Sequence, residues 1–272
     1  MKKIVRSLLY TYSLFIFRWA WISRVMSFFC YQHRRAIRSR LEKQLRAQGL
    51  YGDLVVSGPF RDLRYPPPEQ WASCRFEKIN AAYEHELHAL INRLVASKQY
   101  TTIVNIGAAE GFYSVGLAKL FPTAKIISYE GQKQHDIFCA NLARLNGVSD
   151  RIESRGFCHV EDLAALKPEG KVLVWMDIDT GERQVLDSTK VPWLKDADIL
   201  VELHDCLEPG LTPLIRDRFS SSHQIEQITN SGLDYARYPV LRNLLFTEIE
   251  AMMGEDRRGL QDWFFMEPSH TK

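Results

Sequence analysis

The sequence predicts an α/β fold, a seven-stranded and mostly parallel sheet with helices on both faces, and three observations lead there. Short apolar runs alternate with helical runs from about Thr101 to the C-terminus. The strongest of these runs are continuous rather than polar on every second residue, as strands buried on both faces require. The first run ends in a glycine turn that opens directly into a helix, which makes the predicted fold Rossmann-like. With 272 residues, 46% hydrophobic and 25% charged, the chain can bury one full-sized core and still carry a smaller appendage.

Residues 1–50 form that appendage, an N-terminal helical extension in which Leu, Phe, Trp and Tyr crowd between Arg6, Arg18 and Arg24. Its longest uncharged stretch, Ser7 to Phe17, is well short of the roughly 20 residues a membrane span needs. No convincing small-residue cleavage site follows it. Aromatics interleaved with cations suit a helix lying in a membrane interface; packing on the protein's own surface or on a second subunit is the alternative. His33 to Arg46 continues basic and helical. Residues 51–98 hold a linker, marked by Gly52, Gly58 and the run Pro66, Pro67, Pro68, and then one lead-in helix. That helix is predicted from Phe76 onward, because Ile79, Tyr83, Leu87, Leu90, Ile91 and Leu94 recur at three and four residues.

The domain proper spans 99–272. Strands are expected at 101–106, 125–129, 151–154, 171–178, 198–203, 223–229 and 262–266, with helices at 111–120, 135–145, 160–166, 182–186 and 212–219. A formal net charge of +2 is far from the basic balance that phosphate neutralisation demands, so no nucleic-acid partner is expected. Cys30, Cys74, Cys139, Cys158 and Cys206 have no paired spacing and read as the reduced thiols of a cytoplasmic protein. An interfacial helix would make it peripheral at the inner face of the membrane.

Chemistry concentrates at the ends of the strands. Gly107, directly after the first strand, allows a tight turn and lets a ligand approach without meeting a Cβ. Glu130, at the end of the second strand and about twenty residues on, is placed to accept hydrogen bonds from both hydroxyls of a ribose. Together they indicate a nucleoside-bearing cofactor. Nicotinamide folds receive a pyrophosphate on Gly-x-Gly-x-x-Gly, whereas here Ala109 takes the middle glycine position, with Ala108 and Glu110 around it. Glu110 at a helix start repels a diphosphate but tolerates the ammonium and sulfonium of S-adenosylmethionine. At the end of the fifth strand, His204 is a candidate general base for a hydroxyl acceptor, with Asp205 beside it as a second catalytic candidate or a helix cap. Asp177, Asp179, Glu202 and Asp205 offer oxygen atoms of the kind Mg²⁺ takes, but nothing in their spacing makes them converge, and no metal ligand is assigned.

The chain resembles the FkbM-type methyltransferases, within the larger class of seven-stranded S-adenosylmethionine-dependent enzymes, over roughly Thr101 to Thr229. The resemblance rests on Val104 to Gly111, on Glu130, on Asn141 with Asn146 and Gly147, on Trp175 to Glu182, and on Val201 to Asp205. The fourth-strand motif resembles Asp-Val-Glu-Gly-Ala-Glu: Asp177 and Glu182 match, Asp179 replaces Glu, and Gly181 is displaced by one position. The resemblance implies that Asn105, Gly107, Glu110, Gly111 and Glu130 line the donor site, with Ala108 and Phe112 in the same turn. It implies that Phe157 and Cys158 flank the adenine, and that Asp177 lies beside the methionine portion or the acceptor. O-methylation of a small-molecule, sugar or glycan hydroxyl is the expected reaction. An NAD-dependent oxidoreductase, or a non-catalytic protein that keeps the nucleoside pocket, are the alternatives.

Overall fold

The computed structural model describes residues 2–67, 74–254 and 261–269, with side chains along the first helix described at Trp19 and from Trp21 onward. Pro68, in the proline run, lies outside them. The chain divides into two compact units, Met1–Gly52 with Tyr238–Gly254, and Asp53–Arg237 with Glu255–Lys272.

The larger unit is built on seven strands: β1 (Thr102–Ile106), β2 (Lys125–Tyr129), β3 (Ile152–Arg155), β4 (Val172–Met176), β5 (Asp198–Leu203), β6 (His223–Ile228) and β7 (Asp262–Pro268). Their order across the sheet is β3-β2-β1-β4-β5-β7-β6. The pairs from β3 through β5 are parallel, and β7 runs antiparallel between β5 and β6. The expected Rossmann-like sheet is therefore present. Every residue of β1, β4 and β5 is buried, which is why these strands read as continuous apolar runs. Each fully buried Val, Leu, Ile or Phe there contributes about 1.5–3 kcal/mol. Trp263, Phe264 and Phe265 of β7 are core residues as well, at 1% exposure or less.

Helices α4 (Phe112–Leu120), α5 (Lys133–Leu145), α6 (Val160–Ala165), α7 (Glu182–Val185) and α8 (Leu211–Phe219) connect the strands. The single lead-in helix is not formed. It is broken into α2 (Arg75–Ile79), a short 3₁₀ turn at His85–Leu87 and α3 (His88–Ser97). Ala81 and Glu84 take positive φ values of 56° and 45° between them, which no right-handed helix can pass through. The three- and four-residue spacing arises from separate pieces: α2 is buried at all five positions, and only α3 buries a single stripe, at Leu90, Ile91 and Leu94.

The smaller unit pairs α1 (Lys2–Ala47) with α9 (Phe246–Met253). The Arg38 guanidinium donates to the carbonyls of Ala251, Met252 and Gly254 at 3.0, 3.4 and 3.2 Å, capping the C-terminus of α9 with a cation. The sequence reading assigned no helix to 246–253. A local signal does exist there, since Glu248 accepts from the Leu245 N–H at 3.0 Å in the manner of a capping box.

Candidate functional site

The sheet order reverses between β1 and β4, so the loops leaving these two strands diverge and leave a crevice at their carboxyl ends. A cleft of about 1370 Å³ opens there. It is lined by the turns after β1 to β5, by Tyr83 and Glu84 ahead of α3, and by Gln261 before β7.

On the β1 side, the turn is fixed by backbone. Gly107 and Ala108 both donate to the Tyr129 carbonyl at 3.0 Å, and Gly111 donates to Ala108 at 2.8 Å. Gly107 holds φ +82°, and a Cβ built on it would lie 1.7 Å from the Asp177 carbonyl oxygen. The glycine is thus required by contact with the β4 loop as well as by its backbone angle. Glu130 braces the turn: one carboxylate oxygen accepts from the Ala109 N–H at 2.8 Å and the other from Gln132 at 2.7 Å. Each oxygen retains lone-pair capacity toward the cleft.

Not every residue expected at the donor site reaches the cleft. Gly107, Glu130, Phe157 and Cys158 line it, and Ala109, not among those expected there, does too. Phe157 is 66% exposed at its rim, whereas Cys158 is buried, and burial pushes its thiol up to about 12. Asn105, Ala108, Glu110, Gly111 and Phe112 are not among the residues that line it. Asn105 donates to Ser114 at 2.8 Å, and Ser114 shares a hydrogen bond with Ser128 at 3.0 Å, tying α4 to the sheet. Glu110, 1% exposed, forms a buried ion pair with Lys78. Burial works against the Lys78 ammonium, yet the Glu110 charge, with Cys74 and Glu84 behind it, leaves its pKa raised. Phe112 joins an aromatic cluster with Phe60, Tyr65 and Tyr83.

On the β4 and β5 side, charge is concentrated instead. His204 is 1% exposed; its Nδ1 meets Glu182 at 2.6 Å, while Nε2 faces Glu202 at 3.3 Å and both Asp177 and Asp179 at 3.6 Å. Burial alone would lower the His204 pKa, but the hydrogen bonds to Glu182 and Glu202 and the charge of Asp177 outweigh it and carry the pKa to about 10. At neutral pH the ring is therefore an imidazolium. The Asp177 carboxyl is held well above the usual carboxylate range by burial and by the charges of Glu202 and Glu84. Glu84 is itself buried and accepts from the Tyr113 hydroxyl. Sequence reading missed Glu84 and Tyr83, because the break in the lead-in helix brings them to the cleft.

Asp177, Glu202 and His204 each bring one atom within 4.8 Å of the other two, the one grouping among the described residues with a spacing that a cation can bridge. Asp205 does not join it. It turns to α8, where it accepts from the Thr212 N–H at 3.1 Å and from the Thr212 hydroxyl.

Two features set this cleft apart. Cys74, Glu84, Ala109 and Asp179, all on its wall, hold positive φ without being glycine; such strain costs about 1–3 kcal/mol per residue and collects at functional sites. Seven carboxylates line it, those of Glu84, Glu130, Glu161, Asp177, Asp179, Glu202 and Glu208, and among the described lining residues there is no Lys or Arg.

Neither a family model nor a curated protein matches the sequence. Among solved structures the chain is similar to the O-methyltransferase TomG from Streptomyces achromogenes in complex with SAM, at 16% identity and TM-score 0.46, covering 85% of this chain and 89% of that one. It is similar to the O-methyltransferase from Bacillus cereus in complex with SAH, at 11% identity and TM-score 0.44, covering 85% and 90%. It is also similar to precorrin-6y C5,15-methyltransferase from Geobacter metallireducens, at 11% identity and TM-score 0.43, covering 74% and 95%. At these values neither activity nor substrate transfers from those proteins to this chain.

Proposed function

We propose that the chain is an S-adenosylmethionine-dependent O-methyltransferase of the FkbM type, acting on a small-molecule, sugar or glycan hydroxyl. The observation that carries this reading is the charge of the cleft. Seven carboxylates, only partly offset by the His204 imidazolium and with no lining Lys or Arg, repel the pyrophosphate of a dinucleotide and suit a ligand bearing an ammonium and a sulfonium. The same charge disfavours phosphorylated acceptors. The strand order, with its crevice at the β1/β4 switch, and the pairing of Gly107 with Glu130 support a nucleoside there.

When bound, S-adenosylmethionine supplies an activated methyl group for in-line displacement. The protein's task is to hold both partners and take a proton from the hydroxyl. Glu130 would hold the ribose hydroxyls on the lone pairs its two backbone bonds leave over, and Phe157 and Cys158 would flank the adenine. Asn105, Ala108, Glu110, Gly111 and Phe112 act by fixing the turn. Asp177 is the base, since a carboxylate with a raised pKa accepts a proton more readily than an ordinary one. His204, already protonated, balances Glu182, Glu202 and Asp177 and holds them in place. Asp205 keeps the β5 loop against α8. Apart from the cleft, helix α1 is read as a peripheral contact at a membrane's inner face.

Calorimetric titration with S-adenosylmethionine and separately with NAD, repeated on Glu130→Ala, tests the class. The expected result is binding of the methyl donor alone, weakened in the variant. Binding of NAD instead, or donor binding indifferent to Glu130, overturns it. Donor bound but never consumed with a panel of hydroxyl acceptors would leave the non-catalytic alternative.

A further inference from the structure

Helix α1 carries a second surface, independent of the cleft and of whether methyl transfer is its reaction. From Trp19 to Ala36 every described side chain is exposed except Val25, which is half-buried. Trp19 is 67% exposed, Trp21 61% and Phe29 63%, with Ile22, Met26, Phe28 and Tyr31 also open. A contiguous set of this size on a water-soluble surface marks a face that something covers. Trp19, Ile22, Val25, Met26 and Phe29 recur at three- and four-residue spacing along one side, flanked by Trp21, while Phe28 lies toward Arg24 and Arg35. Ser23, Arg24, Ser27, Arg34 and Arg35 fall on the opposite side.

Charge identifies the cover. Residues 2–41 contain Lys2, Lys3, Arg6, Arg18, Arg24, Arg34, Arg35, Arg38 and Arg40 and no Asp or Glu. Because the whole chain carries only +2, the remainder is net acidic by seven charges. A second copy of the helix would set these cations against their own kind, whereas an anionic bilayer attracts them, at about 1 kcal/mol per Lys or Arg near its surface. Tryptophan and phenylalanine between cations are the side chains that seat in the headgroup and acyl boundary. Arg38 and Arg40 are engaged instead on α9, with its terminal carbonyls and with Glu248. The lipid-facing stretch therefore ends where α9 begins to hold the helix.

We infer that residues 19–35 of α1 form a docking surface for an anionic phospholipid bilayer, with the Trp19, Ile22, Met26 and Phe29 side lying in the interface. The test is flotation of the full-length protein with phosphatidylcholine vesicles containing about 30 mol % phosphatidylglycerol, alongside vesicles of phosphatidylcholine alone. The protein floats with the anionic vesicles, and raising the salt to about 0.5 M reduces its partitioning. Replacing Trp19, Trp21, Phe28 and Phe29 together by Ser lowers partitioning by about tenfold or more, with an unchanged far-ultraviolet circular dichroism spectrum beyond α1's own contribution. Arg24→Gln with Arg35→Gln lowers it on anionic vesicles and leaves neutral ones unaffected. Wild-type protein that stays at the bottom of the gradient, or a serine variant that floats as well as wild type, overturns the inference. So does a dimer in sedimentation velocity that the serine substitutions convert to monomer, for then a second copy is the cover.

Discussion

The two walls of the cleft are built by different means. The β1 and β2 wall is made of backbone: Gly107, Ala108 and Ala109 donate to Tyr129 and Glu130 within one βαβ unit. The β4 and β5 wall is made of side chains, with Glu182, Glu202 and Asp177 gathered around one buried imidazolium and Glu84 brought in from a broken helix. A backbone wall tolerates little change in shape, and a charged wall tolerates little change in protonation. Under the proposed function, the first wall would recognise the ligand and the second would handle protons.

The largest effect expected is at the point where the walls touch. Gly107→Ala places a Cβ within 1.7 Å of the Asp177 carbonyl at a positive φ, so a loss of at least about 4 kcal/mol is expected, visible in a urea melt. A near-native midpoint would mean the walls are not in contact. Next comes Asp177→Asn, which should lower kcat by about a thousandfold while leaving the calorimetric affinity for the methyl donor nearly unchanged. In wild type, kcat should fall on acidification at a pH above the ordinary carboxylate range, because burial and the charges of Glu202 and Glu84 raise the Asp177 pKa. A limb surviving in the variant would move the base elsewhere.

Lys78→Met leaves Glu110 charged and buried, at a cost of about 3–5 kcal/mol, and the double change Lys78→Met with Glu110→Met should restore most of that. If the double variant is stable but binds no donor, Glu110 touches the ligand after all. Glu130→Ala is expected to weaken donor binding by about tenfold, or about 1.4 kcal/mol, with a smaller loss of stability through the Ala109 and Gln132 bonds.

The smallest effect concerns His204. Its folded pKa is raised from 6.5 to about 10, so the stability it contributes is complete below pH 6.5 and is lost as the pH climbs toward 10. Wild-type Tm should therefore decline between pH 7 and 10 by a few degrees more than that of His204→Gln. Parallel declines would mean that the imidazolium is not what holds the carboxylates together.

What the sequence determined by itself is whatever depends on neighbours in the chain. Uninterrupted apolar stretches marked β4 and most of β1 and β5, because strands buried on both faces are not forced to alternate with polar residues. Gly107 and Glu130 were legible because one βα unit sets their spacing. Only the tertiary structure decided the rest. Glu110 looked like a ligand-facing acid until its partner Lys78, thirty-two residues away, turned it inward. His204 looked like a neutral base, since no local pattern reveals that Glu182 and Glu202 converge on it. The lead-in helix looked continuous because apolar residues of α2, the 3₁₀ turn and α3 happen to follow at three- and four-residue spacing, and the positive φ values that break it at Ala81 and Glu84 leave no mark in hydrophobicity. Charge and packing between distant segments are properties of the folded chain, and they gathered the ionisable side chains of this cleft.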